Sequence, residues 1–228
     1  MNVDSKMLVV EIGIMFVVFA LALCLAAGTL AWPAGWAFLV LFFSFVIVLS
    51  LWLLRYNPGL LKERMTNFKR DQKAWDKMLF VAANIIFMAW LILMPLDAVR
   101  FRWSHMPAWL QGVGAVVLLG SFYLFYLTFR ENPYLSPMVR IQTDRGHAVV
   151  STGPYHYVRH PMYSGAVLWT VGTALLLGSW YGLLFGLVLL DGLVAVRAVL
   201  EERTLRAELP GYDAYMAQVK YRLIPHVW

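Results

Sequence analysis

The sequence has little charge and only one cysteine. Charged residues make up 14% of its 228 residues, compared with about a quarter in an average soluble domain. The lone Cys24 excludes an intrachain disulfide and a cluster of thiol ligands. His105, His147 and His226 are too scattered to predict a metal site. What the chain has instead is 61% hydrophobic residues gathered in long runs, a pattern typical of membrane spans.

Six of these apolar runs predict transmembrane helices. Each is close to the ~20 residues that cross ~30 Å of hydrocarbon. The last two are separated only by Gly178 and Ser179, which predicts a tight helical hairpin. The predicted fold is therefore an all-α, polytopic integral membrane protein, with spans at roughly 7–28, 33–54, 77–96, 108–129, 161–177 and 180–199.

The lysines and arginines predict the orientation of these spans. With six spans, 17 of the 19 lie on one side, and only Arg100 and Arg102 lie on the other. Positive residues stay on the cytoplasmic side, so both termini and the polar segments are predicted to be cytoplasmic. The net charge of +6 then favours contact with anionic lipid, and we expect no nucleic-acid partner.

The chain divides into two predicted regions. Residues 1–129 hold four spans, and 130–228 hold a cytoplasmic loop, the hairpin and a cytoplasmic tail. Within the first region, Asn57-Pro58 predicts a helix start in the segment 56–76. The apolar residues that follow fall near one helical face, which favours a helix in the lipid interface over a solvated connector; they are Leu61, Met65, Phe68 and Trp75.

The densest polar cluster lies where the loop meets the fifth span, between Gly153 and Gly165. Pro161 suits the first turn of a helix, whose free N–H groups receive an anion such as a carboxylate. Arg159 and His160 reinforce that preference, and the neighbouring tyrosines offer faces to a cation. The cluster predicts a site for a zwitterion, with an interfacial belt of aromatic residues as the alternative.

A second polar cluster lies at the end of the sixth span. Arg197 and Glu201 are four residues apart and share a helix face, with Glu202 beside them. An ordinary surface ion pair is the alternative to a functional role. Inside the same span, Asp191 is an intramembrane carboxylate, either functional or bonded to a neighbouring helix. The spacing of Gly178, Gly182 and Gly186 predicts close helix packing.

Together the two clusters resemble a known family. The pattern Gly-Pro-Tyr-x-x-x-Arg-His-Pro-x-Tyr-x-Gly, followed by Arg-x-x-x-Glu-Glu, is similar to that of the isoprenylcysteine carboxyl methyltransferase family, which is related to the membrane phospholipid N-methyltransferases. The tail, with Leu209-Pro210-Gly211-Tyr212 and Tyr221–Pro225, fits the same pattern. The resemblance covers roughly residues 140–225.

The resemblance implies a methyltransferase that binds S-adenosyl-L-methionine on the cytoplasmic side, without a metal. Arg197 would contact the acceptor and Glu201 the amino group of the cofactor. Glu201, Glu202 or His160 would serve as a base if the acceptor were an amine. The full set of cofactor-binding residues predicted in this way is Gln142, His147, Ala148, Val149, Val150, Tyr155, Arg159, His160, Pro161, Met162, Tyr163 and Glu201.

The acceptor stays open at this point. The family suggests an isoprenylated cysteine carboxylate, which is already a nucleophile and needs only a guanidinium to orient it. An aminophospholipid and a small thiol are the alternatives, and any lipophilic acceptor would enter from the bilayer. Two other classes compete: an NADPH-dependent membrane reductase of the steroid-reductase kind, which has a similar Arg-His-Pro-x-Tyr stretch, and a non-enzymatic scaffold or transporter component.

Overall fold

The computed structural model describes residues 5–65 and 73–228, and the residues in these ranges form helices and loops without a strand. The helices are α1 (Ser5–Ala27), α2 (Pro33–Tyr56), α3 (Pro58–Met65), α4 (Ala74–Pro95), α5 (Ala108–Glu131), α6 (Pro161–Leu177), α7 (Trp180–Phe185), α8 (Asp191–Glu208) and α9 (Tyr212–Gln218).

The predicted polytopic membrane fold is confirmed. Within the described residues, five helical segments are long and apolar enough to cross a membrane, and α6, with 17 residues, is a shorter apolar helix. α4 continues through a π-helical turn to Arg100, and a similar turn joins α7 to α8. The last segment runs from Trp180 to Glu208, beyond the end predicted near 199.

Glycines let the C-terminal helices approach closely. A Cβ on Gly172 of α6 would lie 2.6 Å from the backbone nitrogen of Leu118 in α5. In the hairpin, Gly178 closes α6 with a left-handed φ of 80°, a conformation that glycine adopts without strain. The predicted packing role holds for Gly182, whose carbonyl accepts a hydrogen bond from Trp90 Nε1 at 2.6 Å.

The two ends of the helix bundle carry different polar groups. At the hairpin end, Asp97 is fully buried, and its Oδ2 accepts hydrogen bonds from the hydroxyls of Ser104 and Ser179, both at 2.6 Å. The opposite end holds the starts of α4 and α6 and the end of α8. The long loop 132–160 and the tail cover this second end.

The segment 56–76 is described only in part. α3 begins at Pro58, as the Asn57-Pro58 pair predicts, and the side chain of Asn57 accepts a hydrogen bond from the Leu60 backbone N–H at 3.1 Å. That bond satisfies one of the free N–H groups of the first turn. Phe68 lies outside the described residues, so the interfacial placement of this segment stays a prediction.

Candidate active site

A cavity of about 340 Å³ opens at the loop-covered end of the bundle. Its walls come from α3, α4, the loop 132–150, the start of α6, α8 and α9. Both polar clusters of the sequence meet here, because the Arg-His-Pro segment leads into α6 and the Arg-x-x-x-Glu-Glu segment lies on α8. The cavity therefore brings residues of both motifs into one wall.

Glu202 joins the Arg-His-Pro segment to α8 and to the tail. Its Oε1 lies 2.6 Å from Arg159 Nε and 3.3 Å from His160 Nε2, and its Oε2 lies 2.8 Å from Arg222 Nε. The carboxylate is 3% exposed. A buried charge of this kind is stable only when it is paired and hydrogen-bonded. Glu202 is therefore an anchor, and its oxygens are already occupied.

The tail completes the anchor through the backbone. The N–H groups of Arg159 and His160 donate to the carbonyls of Tyr221 and Arg222, both at 2.9 Å. The guanidinium of Arg159 also donates to the carbonyl of Val219 at 2.8 Å. Through these bonds, the tail that follows α8 fixes the backbone at the start of α6.

Glu201, next to Glu202, has a different environment. Its side chain lines the cavity, and its Oε2 accepts a hydrogen bond from the hydroxyl of Tyr163. The ring of Tyr163 stacks on that of His160 with 5.4 Å between centroids. Because successive residues on a helix point about 100° apart, α8 presents one carboxylate to the anchor and the other to the cavity.

Arg197 is held from two sides. One guanidinium nitrogen lies 3.0 Å from Asp76 Oδ1 at the start of α4, and the same nitrogen donates to the carbonyl of Pro137. Its Nε is buried and has no hydrogen-bond partner among the described residues. The guanidinium is thus fixed in position by Asp76 and Pro137, while its Nε makes no hydrogen bond within the described part of the chain.

The N-terminal half contributes charged residues that the motifs do not show. Arg64 of α3 lines the cavity, with its guanidinium 4.8 Å from the ring centre of Phe129. Burial, and next the positive charge of Arg197, lower the pKa of Arg64 to about 10, so it stays charged at neutral pH. Arg64 and Arg197 are two of the four described arginines that line the cavity, and the other two, Arg140 and Arg159, pair with Glu63 and Glu202. Guanidinium groups at a cavity favour an anionic ligand.

The loop 132–150 forms the opposite wall. The rings of His147 and Tyr134 lie 4.6 Å apart. Burial lowers the pKa of His147, while the charge of Glu201 opposes that shift. The lowered pKa keeps the imidazole neutral at physiological pH. This wall offers flat, uncharged rings to a ligand.

A second cavity of about 290 Å³ lies between α4, α6, the end of the π-helical turn that precedes α8, and α8 itself. Its lining is mostly apolar, and it shares Phe80, Tyr163 and Arg197 with the first cavity. The second cavity lies among the apolar spans, whereas the first lies at their end. Arg197 lies in the wall of both cavities.

Most of the predicted site residues line the first cavity: His147, Ala148, Val149, Val150, Tyr155, Arg159, His160, Met162, Tyr163, Arg197 and Glu201. Gln142, Pro161 and Glu202 do not. Gln142 is fully buried and its amide donates to the carbonyl of Tyr134 at 2.6 Å, so it shapes the loop. Pro161 occupies the first turn of α6, as predicted.

Other residues that line the cavity were not among the predicted site residues. They are Arg64, Phe80, Asn132, Tyr134, Leu135, Ser136, Pro137, Met138, Val139, Arg140, Leu205, Leu209, Tyr212 and Tyr215. Sequence reasoning also missed Asp76, which holds Arg197. A carboxylate in the first turn of a helix has an ordinary explanation in the helix dipole, so Asp76 carries no distinctive signal. Tyr212 lies in the tail motif, and its buried hydroxyl has no partner among the described residues.

Comparison with known proteins agrees with the motifs. Residues 110–207 match the family described as the isoprenylcysteine carboxyl methyltransferase (ICMT) family. The predicted resemblance is confirmed. The matched segment begins in α5, earlier than the motifs indicate, and it ends within α8, so it contains both clusters but not the tail.

Three curated relatives are named as methyltransferases that act on isoprenylcysteine. A protein-S-isoprenylcysteine O-methyltransferase of Schizosaccharomyces pombe is 46% identical over 72 residues, which are 31% of this chain and 30% of that protein. The Saccharomyces cerevisiae enzyme is 30% identical over 90 residues, or 40% of this chain and 38% of that protein. Protein-S-isoprenylcysteine O-methyltransferase B of Arabidopsis thaliana is 29% identical over 70 residues, or 30% of this chain and 36% of that protein. The chain thus matches well under half the length of each.

Proposed function

We propose that this protein is an integral membrane methyltransferase that uses S-adenosyl-L-methionine to methylate the carboxylate of an S-isoprenylated cysteine or a closely similar amphiphile. The observation that carries the proposal is the position of Arg197, where a polar cavity meets an apolar cavity among the spans. Matched relatives named protein-S-isoprenylcysteine O-methyltransferase support the choice of acceptor.

The residues of the first cavity suit the cofactor. Glu201 is a carboxylate for its ammonium group, and the ring of Tyr163 offers a face to its sulfonium. His147, neutral because burial lowers its pKa, and Tyr134 offer flat rings to the adenine. The unpartnered hydroxyl of Tyr212 is a further polar group for the ligand.

The chemistry needs little from the protein beyond placement. S-adenosyl-L-methionine supplies an electrophilic methyl group, and transfer to a carboxylate forms a C–O bond, breaks a C–S bond and leaves no proton to remove. Arg197, fixed by Asp76, orients the acceptor carboxylate through its guanidinium group.

We propose further that the active site faces the cytoplasm. The lysines and arginines collect at the end of the bundle that holds the cavity, while Arg100 lies at the opposite end and donates to the carbonyl of Leu25. This distribution follows the rule that positive residues stay on the cytoplasmic side.

Methyl transfer tests the proposal directly. Purified protein in lipid nanodiscs is incubated with S-adenosyl-L-methionine carrying a radioactive methyl group and with N-acetyl-S-farnesyl-cysteine. We expect a methyl ester, recognised because mild alkali releases the label as methanol. Label in an alkali-stable amine or thioether would replace the carboxylate by another acceptor, and no transfer would overturn the proposal.

A further inference from the structure

The second cavity contains polar atoms that an isoprenoid hydrocarbon does not use. Asp191, inside the membrane-spanning part of the last helical segment, lines the cavity beside Trp169 and Thr170. Such a carboxylate is costly among apolar helices unless a cation or hydrogen-bond donors satisfy it. Its surroundings therefore indicate what it binds.

Asp191 has one weak partner. Its Oδ1 accepts a hydrogen bond from the hydroxyl of Thr170 at 3.2 Å. Its Oδ2 is buried and, within the part of the chain that the structure describes, has no hydrogen-bond partner and no basic side chain paired with it. A carboxylate has about four acceptor positions, so most of the capacity of Asp191 is unused.

Neighbouring polar groups do not supply the missing donor. The buried indole N–H of Trp169 also lacks a partner among the described residues. One N–H of the Asn84 amide donates to the Phe80 carbonyl at 2.7 Å, and among the described residues this amide makes no hydrogen bond with Asp191. The rest of the wall is apolar, with Ala83, Phe87 and Leu193 among its residues.

The spacing of Asp191 and Arg197 defines how long a ligand must be to contact both residues. They lie on one helix and line one cavity, and six residues correspond to about 9 Å along the axis. Arg197 is the residue proposed to orient the acceptor carboxylate. A ligand that reaches both would carry an acidic head, an apolar segment and a polar group farther along its tail.

We propose that the acceptor of this protein is such a bifunctional amphiphile, in which a hydrogen-bond donor on the tail, best an ammonium group, binds Asp191. This inference rests on the proposed function for the acidic head. An ammonium fits because it supplies donors and neutralises the carboxylate at the same time. A tail of pure hydrocarbon would leave Asp191 with the Thr170 hydroxyl as its hydrogen-bond donor among the described residues.

Two matched probes test the tail. One is N-acetyl-S-geranyl-cysteine, and the other is the same molecule with a primary amine at the end of the geranyl chain. We expect the amine to improve kcat/KM and binding affinity in nanodiscs by about tenfold or more, because a hydrogen bond to a charged group is among the stronger ones. A terminal hydroxyl should give a smaller gain.

Variants assign the preference to one residue. Asp191→Asn should lose most of the gain from the amine, and Asp191→Leu should prefer the hydrocarbon tail. Asn84→Leu removes another polar side chain of the same cavity and should keep the preference of the unchanged protein. Equal treatment of the two tails, or a preference that survives Asp191→Leu, would overturn the proposal.

Binding and turnover separate this inference from the proposed function. Binding of each probe is measured by competition with a fluorescent S-alkyl cysteine, so it needs no turnover. Methylation of neither probe would contradict the proposed function, while the binding preference would still decide the role of Asp191. Methylation of both probes with equal affinity would contradict the role of Asp191 alone.

Discussion

Within the described residues, both ends of the helix bundle bury a carboxylate, but the surroundings of the two carboxylates differ. At the hairpin end, Asp97 Oδ2 gathers the hydroxyls of Ser104 and Ser179 and the N–H of Tyr181, and these groups join the hairpin to α4. At the other end, Glu202 gathers basic side chains and leaves a cavity beside it. A buried carboxylate that closes a turn stabilises the fold, whereas one that braces a cavity also prepares it for a ligand.

The largest expected effect is on stability at the cavity end. Glu202→Ala leaves the buried Arg159 guanidinium and Arg222 without their partner. Removing one member of a buried ion pair costs about 3–5 kcal/mol, and we expect the free energy of unfolding to fall by that amount. Thermal unfolding in detergent measures it.

Glu208→Ala is the matched control for that variant. Glu208 lies on the same helix and pairs with Lys73, but the two side chains are 42% and 36% exposed, so the removal of this solvent-screened pair should change little. Equal losses in the two variants would show that Glu202 is not the anchor.

The next effect is on turnover. Arg197→Ala should lower kcat by about 100-fold, because it removes the group that orients the acceptor, with little change in affinity for S-adenosylhomocysteine. The exposed Arg203 lies on the same helix, and Arg203→Ala should leave both quantities unchanged. A loss of cofactor affinity with kcat preserved would instead assign Arg197 to the cofactor.

A substitution at the hairpin end should lower the free energy of unfolding and leave turnover unchanged. Asp97→Asn keeps the shape of the side chain but weakens its contacts with Ser104 and Ser179. We expect a loss of about 2 kcal/mol, seen as a lower unfolding temperature, while kcat per folded molecule stays constant. Reduced kcat in the folded fraction would show that the two ends are coupled.

The smallest expected effect concerns the cofactor. Glu201→Gln removes a charge beside the Tyr163 hydroxyl and should weaken S-adenosylmethionine affinity by about tenfold. Glu208→Gln is the exposed control. Isothermal calorimetry measures both, and equal affinities for all three proteins would remove Glu201 from the cofactor site.

The sequence carries much of this fold. Long apolar runs predict the spans, Gly178 and Ser179 predict the hairpin, and the two motifs predict most of the lining of the first cavity. These features are local, because each depends on residues adjacent in the chain or on one helix. The end of α8 could not be placed, since a charged helix continues beyond the apolar run without a breaking residue before Pro210.

Contacts between segments that are far apart in the chain cannot be predicted from such local patterns. Asp76 holds Arg197, and Glu63 pairs with Arg140 at 3.1 Å, across stretches of chain that no spacing rule connects. The difference between Glu201 and Glu202 depends on which face of α8 meets the tail. That choice is made by tertiary packing, so spacing alone does not distinguish the adjacent carboxylates, and only the resemblance to the family assigns Glu201 to the cofactor.

Calorimetric binding to the detergent-purified protein tests the central claim most directly. S-adenosylmethionine, S-adenosylhomocysteine and NADPH are each titrated into the unchanged protein and into Glu201→Gln. We expect the first two to bind, NADPH not to bind, and Glu201→Gln to weaken the binding of S-adenosylmethionine. Binding of NADPH alone would make the protein a reductase, and binding of none would return it to the scaffold and transporter classes.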